Sequence, residues 1–509
     1  VMNMSINIYS ATNHGLDGVL INVEVDIMRG IPSFHMVGLP EASVKEARER
    51  VRAAIVNSGY TFPLGRIIIN LAPADVRKKG TFLDLPIAIG ILMASGQIKY
   101  KELENFIIFG ELSLNGNLKG VKGALPIILE GSNKAKENFI FPLENLSEIA
   151  ENGQGNFYPF NNLKQVIAYI TNGDLLPYKE NIHKEKINKN KIDYCEIIGQ
   201  IEAKRAMEIA AAGRHNIYMF GSPGVGKTML ANAITSILPP LTKREQMEVA
   251  KIYSIAGLRK EMETLDIPFR APHHTITKSA LIGGGREITL GEITLAHNGV
   301  LFLDEILEYK REILELLRKP MEEGYISLTR QHERFILPSK FLLISASNPC
   351  PCGNWMNTEG KKCKCTDMEI HKYINKLSSA IIDRMDLLCY IPRVRPEELL
   401  NNNEKYTSEK MKERILLAIE RENYRLRNTE YRYNSEITGK DIYRLCSITT
   451  KARRILEKCY MSYGISLRAY GKIVKVARTM ADLQDEEKIT EDNIIEALGY
   501  RKNIFGEIV

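Results

Sequence analysis

The run Ile217-Tyr218-Met219-Phe220-Gly221-Ser222-Pro223-Gly224-Val225-Gly226-Lys227-Thr228 decides how this chain folds. Four apolar residues read as a strand. Eight residues then match G-x-x-x-x-G-K-[ST]. Met229-Leu230-Ala231-Asn232-Ala233-Ile234 continues as a helix. Strand, glycine-rich loop and helix, in that order, are the context this motif needs. The glycines let successive N–H groups converge on an anion. Lys227 would meet the β- and γ-phosphates, and Thr228 would hold Mg²⁺ through its hydroxyl. The chain reads as a nucleoside-triphosphate binder.

Further along, Gly299-Val300-Leu301-Phe302-Leu303-Asp304-Glu305 is a buried apolar strand ending in two carboxylates. Asp304 would complete the Mg²⁺ shell, and Glu305 would orient or deprotonate the attacking water. Phe341–Ser347 is a second apolar strand, and it ends at Asn348, placed to sit between water and γ-phosphate. Arg384, near the end of a helix, would reach the γ-phosphate of a neighbouring subunit and neutralise transition-state charge. An ion pair to Asp383 or Asp386 is the plainer alternative. Arg468 starts a C-terminal helix and would bring a lid onto the phosphates.

The length of 509 residues suggests about three domains. No apolar run approaches the roughly 18 residues of a membrane span, and the start shows no secretory signal pattern. Eight cysteines without such a signal point to a reducing cytoplasm. The net charge of +7 permits an anionic partner without demanding one. Residues 1–172 mix strand-like runs (Val19–Val25, Arg66–Asn70, Phe106–Phe109) with helix-like ones (Glu41–Ser58, Leu85–Ser95). Residues 173–193 read as a lysine-rich linker. Residues 194–395 form the nucleotide-binding domain. Residues 396–509 read as a helical lid, with apolar positions at helical spacing.

These motifs together resemble the AAA+ ATPase superfamily, its magnesium-chelatase-like branch, and within that the ComM/YifB family. Cys195–Gln200 with Ala206–Gly213 resembles the approach to the phosphate loop, where adenine packs. This implies contacts from Ile198 and Gly199. Ala271–Thr275, Gly283–Gly285 and Gly291–Gly299 resemble an insert at the second helix of the core. Leu317–Gly324 and Asn348–Gly353 continue the likeness. The resemblance implies ATP and Mg²⁺ as cofactors. It also implies a homo-hexameric ring, and a helicase that drives branch migration of single-stranded or branched DNA, with recombination proteins as possible partners. In this branch two loops enter the central pore. Lys278 and Arg286 lie on one, and Arg330, His332 and Arg334 lie on the other. Repeated around a ring, they would make a positive funnel for a phosphate backbone. A protein-remodelling or metal-chelatase ATPase is the rival reading.

The N-terminal block resembles the Lon-protease-like fold, related to a ribosomal-protein fold. Phe82 and Leu125 stand where proteolytic members carry a serine and a lysine. A dyad needs both groups, so peptidase activity is not expected. Arg48, Arg50, Arg52, Arg66, Arg77, Lys78 and Lys79 suggest a basic face. Finally, Cys350-Pro-Cys352 and Cys363-Lys-Cys365 are two C-x-C pairs on one short excursion. Four thiolates could hold structural zinc. Free thiols and a disulfide remain alternatives. The adjacent His273 and His274 read as structural.

Overall fold

The computed structural model describes residues 5–78, 80–99, 103–173, 175–178, 192–258, 261, 267–285, 289–330, 333–355, 362–395, 398 and 404–502. The chain forms two compact units: Val1–Ile187 with Lys243–Leu265, and Asn188–Thr242 with Asp266–Val509.

In the first unit, the strands Ile6–His14, Asp17–Met28, Arg66–Ala72 and Ser33–Val37 lie side by side in that order. Val23, Val25, Ile67, Ile69 and Leu71 alternate with less buried neighbours, as one covered face requires. The covering helix Asp84–Ala94 is apolar all round, and ten of its residues are buried. That is the pattern of a central helix rather than a surface one. A three-stranded parallel sheet (Phe106–Ile108, Asn138–Pro142, Asn156–Phe160) completes the unit. Phe82 and Leu125 are both buried core residues. The expected basic face is broken in two places: Arg50 pairs with buried Asp84 at 2.7 Å, and Lys78 is fully buried. Lys79 lies outside the described residues.

One segment falls elsewhere than its sequence position suggests. The helix Lys243–Ala256, inside the 194–395 range expected to form one domain, belongs to the first unit. The Ser254 carbonyl accepts from Gly123 N at 2.8 Å, and its hydroxyl accepts from Leu125 N at 3.2 Å. Lys251 reaches Asp17 at 3.0 Å. Most of the expected linker, residues 179–191, lies outside the described residues.

The second unit is built on a five-stranded parallel sheet. Its order is Phe269–Arg270, Val300–Leu303, Leu342–Ser347, Ile217–Phe220, Leu387–Tyr390. The three middle strands are buried along their whole length, as a parallel sheet covered on both faces demands. The C-terminal part is helical: Ser408–Leu426, Thr450–Tyr463, Leu467–Leu483 and Glu491–Gly499. Thr407, Thr449 and Ser466 each cap their helix by accepting from the backbone N–H three residues on, which satisfies an otherwise orphaned donor. No helix among the described residues is long and apolar enough to cross a membrane.

Candidate functional site: a phosphate-loop nucleotide site

In a parallel sheet, ligands bind outside the carboxyl ends of the strands, where the strand order reverses. The expected residues gather at that edge. The phosphate loop leaves the strand end at Phe220, Asp304 follows Leu303, and Asn348 follows Ser347. Gly221 is required by close approach: a Cβ there would lie 2.3 Å from the Ile391 carbonyl oxygen. Gly226 turns the chain into the helix Lys227–Ile237 with φ of 95°.

Lys227 is nearly buried. Its ammonium donates to the Gly221 carbonyl (2.6 Å), the Ser222 carbonyl (2.9 Å) and Asn348 Oδ1 (3.3 Å). Burial pulls its pKa down to about 8, against the pull of Asp304 and Glu305. The Thr228 hydroxyl donates to Asp304 Oδ2 at 2.8 Å. The two oxygens expected to share Mg²⁺ are therefore neighbours, and hydroxyl plus carboxylate is a donor set that suits this hard ion. Glu305 takes a left-handed backbone (φ 49°), and its N–H donates to Asp304 Oδ1 at 2.9 Å.

Gln200 makes a contact to the loop that its sequence does not announce. Its amide donates to the Val225 carbonyl (3.2 Å) and to the Pro392 carbonyl (2.7 Å), tying the approach segment to the loop. The segment itself was legible, but the amide's targets lie 25 and 192 residues away. Ile198 is half exposed beside it, and Gly199 packs on Val394.

The remaining candidates are not drawn into the cluster. Arg384 donates to Glu322 and to the Ala380 carbonyl. Its ion pair is thus neither of those expected: Asp386 is occupied by Lys472 at 2.5 Å and by the Asn216 N–H at 3.1 Å. Arg468 is exposed on the first turn of the helix Leu467–Leu483. Lys472, one turn on, fastens that helix to Asp386.

Lys278 and Arg334 are exposed. Lys278 opens a short helix capped by Thr277. Arg334 lies on the hairpin Tyr325–Arg330/Glu333–Pro338, where its Nε donates to Ser327 Oγ at 2.7 Å. Arg330 ends the first hairpin strand, whereas Arg286 and His332 lie outside the described residues. Cys350, Cys352, Cys363 and Cys365 bring their sulfurs within 4.8 Å of one another. His273 and His274 occupy a turn, not a strand, with ring centroids 4.0 Å apart.

The strand order and the groups at its carboxyl edge (Lys227, Thr228, Asp304, Glu305 and Asn348) define a phosphate-loop protein of the AAA+ kind, with a site that fits ATP and Mg²⁺. The family described as magnesium chelatase, subunit ChlI, matches residues 193–399. Families described as subunit ChlI of Mg-chelatase and as magnesium chelatase, subunit ChlI C-terminal, match residues 23–145 and 405–501. The chain is 40% identical to competence protein ComM of Haemophilus influenzae, over 98% of each chain. It is 39% identical to YifB of Salmonella typhimurium, over 96% of this chain and 95% of that one. To YifB of Escherichia coli it is 38% identical, over 98% and 97%. The chain belongs to the ComM/YifB family of magnesium-chelatase-like AAA+ proteins.

Proposed function

We propose that this chain is the subunit of a cytoplasmic, hexameric, ATP-driven DNA motor that remodels single-stranded or branched DNA during recombination or natural transformation. The observation that carries the reading is the full-length likeness to a competence protein, in a chain where Lys227 meets Asn348 and Thr228 meets Asp304 at the sheet edge. Lys278 and Arg334 support it. Both are exposed basic groups on small excursions from the nucleotide-binding unit. Contacts of that kind grip phosphates rather than read bases.

In this reading Lys227 exchanges backbone carbonyls for phosphate oxygens, and Mg²⁺ supplies charge neutralisation at Thr228 and Asp304. Glu305 and Asn348 orient the water. Arg384 leaves Glu322 for a phosphate across the subunit boundary, which would make the ring obligatory for turnover. The test is ATP hydrolysis with and without single-stranded and forked DNA, at two salt concentrations, with Glu305→Gln as control. Salt-sensitive stimulation that the control lacks supports a DNA motor. Hydrolysis indifferent to DNA sinks it and moves the protein-remodelling reading to first place, a reading favoured by the chelatase-subunit likeness of the core.

A further inference from the structure

We propose that Cys350, Cys352, Cys363 and Cys365 hold one zinc ion, and that this metal-bound knuckle braces the phosphate loop through Gly353 and Pro223. The sulfurs of Cys350 and Cys352 lie 3.4 Å apart, those of Cys350 and Cys363 3.7 Å, and those of Cys352 and Cys363 3.6 Å. Four sulfurs about 2.3 Å from a shared tetrahedral ion stand about 3.8 Å from each other. A disulfide would bring two of them to about 2.05 Å. These three spacings are close to those of ligands around an ion, and the Cys365 sulfur lies within 4.8 Å of all three. Backbone donors already face the sulfurs: Trp355 N–H points to Cys350 Sγ (3.3 Å), and Cys365 N–H to Cys363 Sγ (3.4 Å). Such outer donors hold metal thiolates in place. Four protein ligands leave no open coordination position, so the ion is structural rather than catalytic.

What it would shape is the nucleotide site. Cys350 is buried two residues beyond Asn348, whose Oδ1 receives Lys227. Gly353, buried and at φ of 75°, lies directly on the phosphate loop. A Cβ there would stand 2.6 Å from Pro223 Cδ and 2.7 Å from its Cγ. The loop is therefore held between the Ile391 carbonyl, against Gly221, and the knuckle, against Pro223. Without the ion, nothing covalent fixes the knuckle's fold, and one wall of the loop is released together with the residue after Asn348.

The proposal rests on the nucleotide reading of the loop, and direct binding of a fluorescent ATP analogue separates the two. Loss of binding in Lys227→Ala establishes the nucleotide reading by itself, with no reference to metal. The purified full chain should carry about one zinc per subunit by elemental analysis. Stripping with a thiol reagent and chelator should change the fluorescence of Trp355, the one tryptophan. It should also weaken nucleotide binding by about tenfold or more, that is by at least about 1.4 kcal/mol. Reversing the thiol modification with excess dithiothreitol, removing the reductant and adding one equivalent of Zn²⁺ should restore both, with far-ultraviolet circular dichroism unchanged throughout. Gly353→Ala, which pushes on Pro223 but spares the sulfurs, should keep its zinc and still bind nucleotide more weakly. A chain with neither bound zinc nor uptake of added Zn²⁺ overturns the metal site, as does iron in its place. Zinc that can be removed and returned with no change in nucleotide affinity overturns the brace.

Discussion

Lys78 in the first unit and Lys227 in the second are both withdrawn from water, at 0% and 8% exposure. Burial lowers the pKa of each. Their surroundings differ. Lys78 donates to the Pro73 carbonyl, and Asp75 acts on it only through space. Lys227 holds three acceptors, faces two carboxylates, and sits at the base of a loop whose glycines leave room for an anion. A buried ammonium with one local carbonyl is a fastening. A buried ammonium with exchangeable partners at a strand end can trade them for phosphate oxygens. Lys472 is a third arrangement: it is paired directly with buried Asp386 between the helix Leu467–Leu483 and the sheet.

The largest expected effect separates the first two. Lys227→Ala should abolish measurable nucleotide binding and hydrolysis while leaving the thermal midpoint nearly unchanged. Glu305→Gln should bind ATP but hydrolyse it on the order of 100-fold or more slowly, as loss of a water-orienting group does. Wild-type turnover in Lys227→Ala would remove the distinction altogether.

Next in size is the paired lysine. Asp386→Asn strands Lys472, and removing one partner of a buried ion pair costs about 3–5 kcal/mol. Calorimetry should show a large drop in thermal midpoint, and the double variant Asp386→Leu/Lys472→Met should recover much of it. Against the upward push of burial, the Lys472 ammonium and, next to it, His215 hold the Asp386 carboxyl well below its usual range. A depressed acid contributes stability above its unfolded pKa of about 4, and that stability fades as pH falls below it. The wild-type midpoint should therefore decline below pH 4 more steeply than that of the double variant. Equal slopes would dissolve the pair.

Lys78→Met is expected to do least to function. An apolar chain of similar length replaces a buried charge, so stability should change by less than about 1.5 kcal/mol, and ATP turnover per folded molecule should hold. A selective loss of turnover would make Lys78 more than a fastening.

The two lysines were not equally legible. Lys227 stands in a contiguous motif whose spacing carries its chemistry, so strand, loop and helix all follow from one stretch. Lys78 sits in a run of basic residues that suggests a solvated face, and only packing against the 73–78 turn reveals its burial. Distance in sequence hid other features in the same way. The helix Lys243–Ala256 shows an apolar face in Val249, Ile252 and Tyr253, but a face does not say which unit it covers. The strand Phe269–Arg270, two residues between Pro268 and Pro272, is too short for any alternation. Glu322 is 62 residues from Arg384 and carries no motif of its own.

The smallest effect tests the comparison most finely, because it reads the charge of Lys227 itself. Its folded pKa of about 8 lies below the usual lysine value, so between about pH 8 and 10 the folded chain binds fewer protons there than the unfolded one. Stability from this group accordingly rises with pH across that window. Nucleotide binding runs the other way. A triphosphate favours the ammonium, so binding near pH 9 should take up close to one proton, and affinity should fall by up to about tenfold per pH unit above 8. Titration calorimetry in buffers of differing ionisation enthalpy measures that uptake. Little uptake is expected at pH 7, where Lys227 is already mostly charged. Binding at pH 9 with no proton taken up would mean that Lys227 is held charged before nucleotide arrives. The carbonyls and carboxylates around it would then outweigh its burial, and the site would be poised for an anion at every working pH.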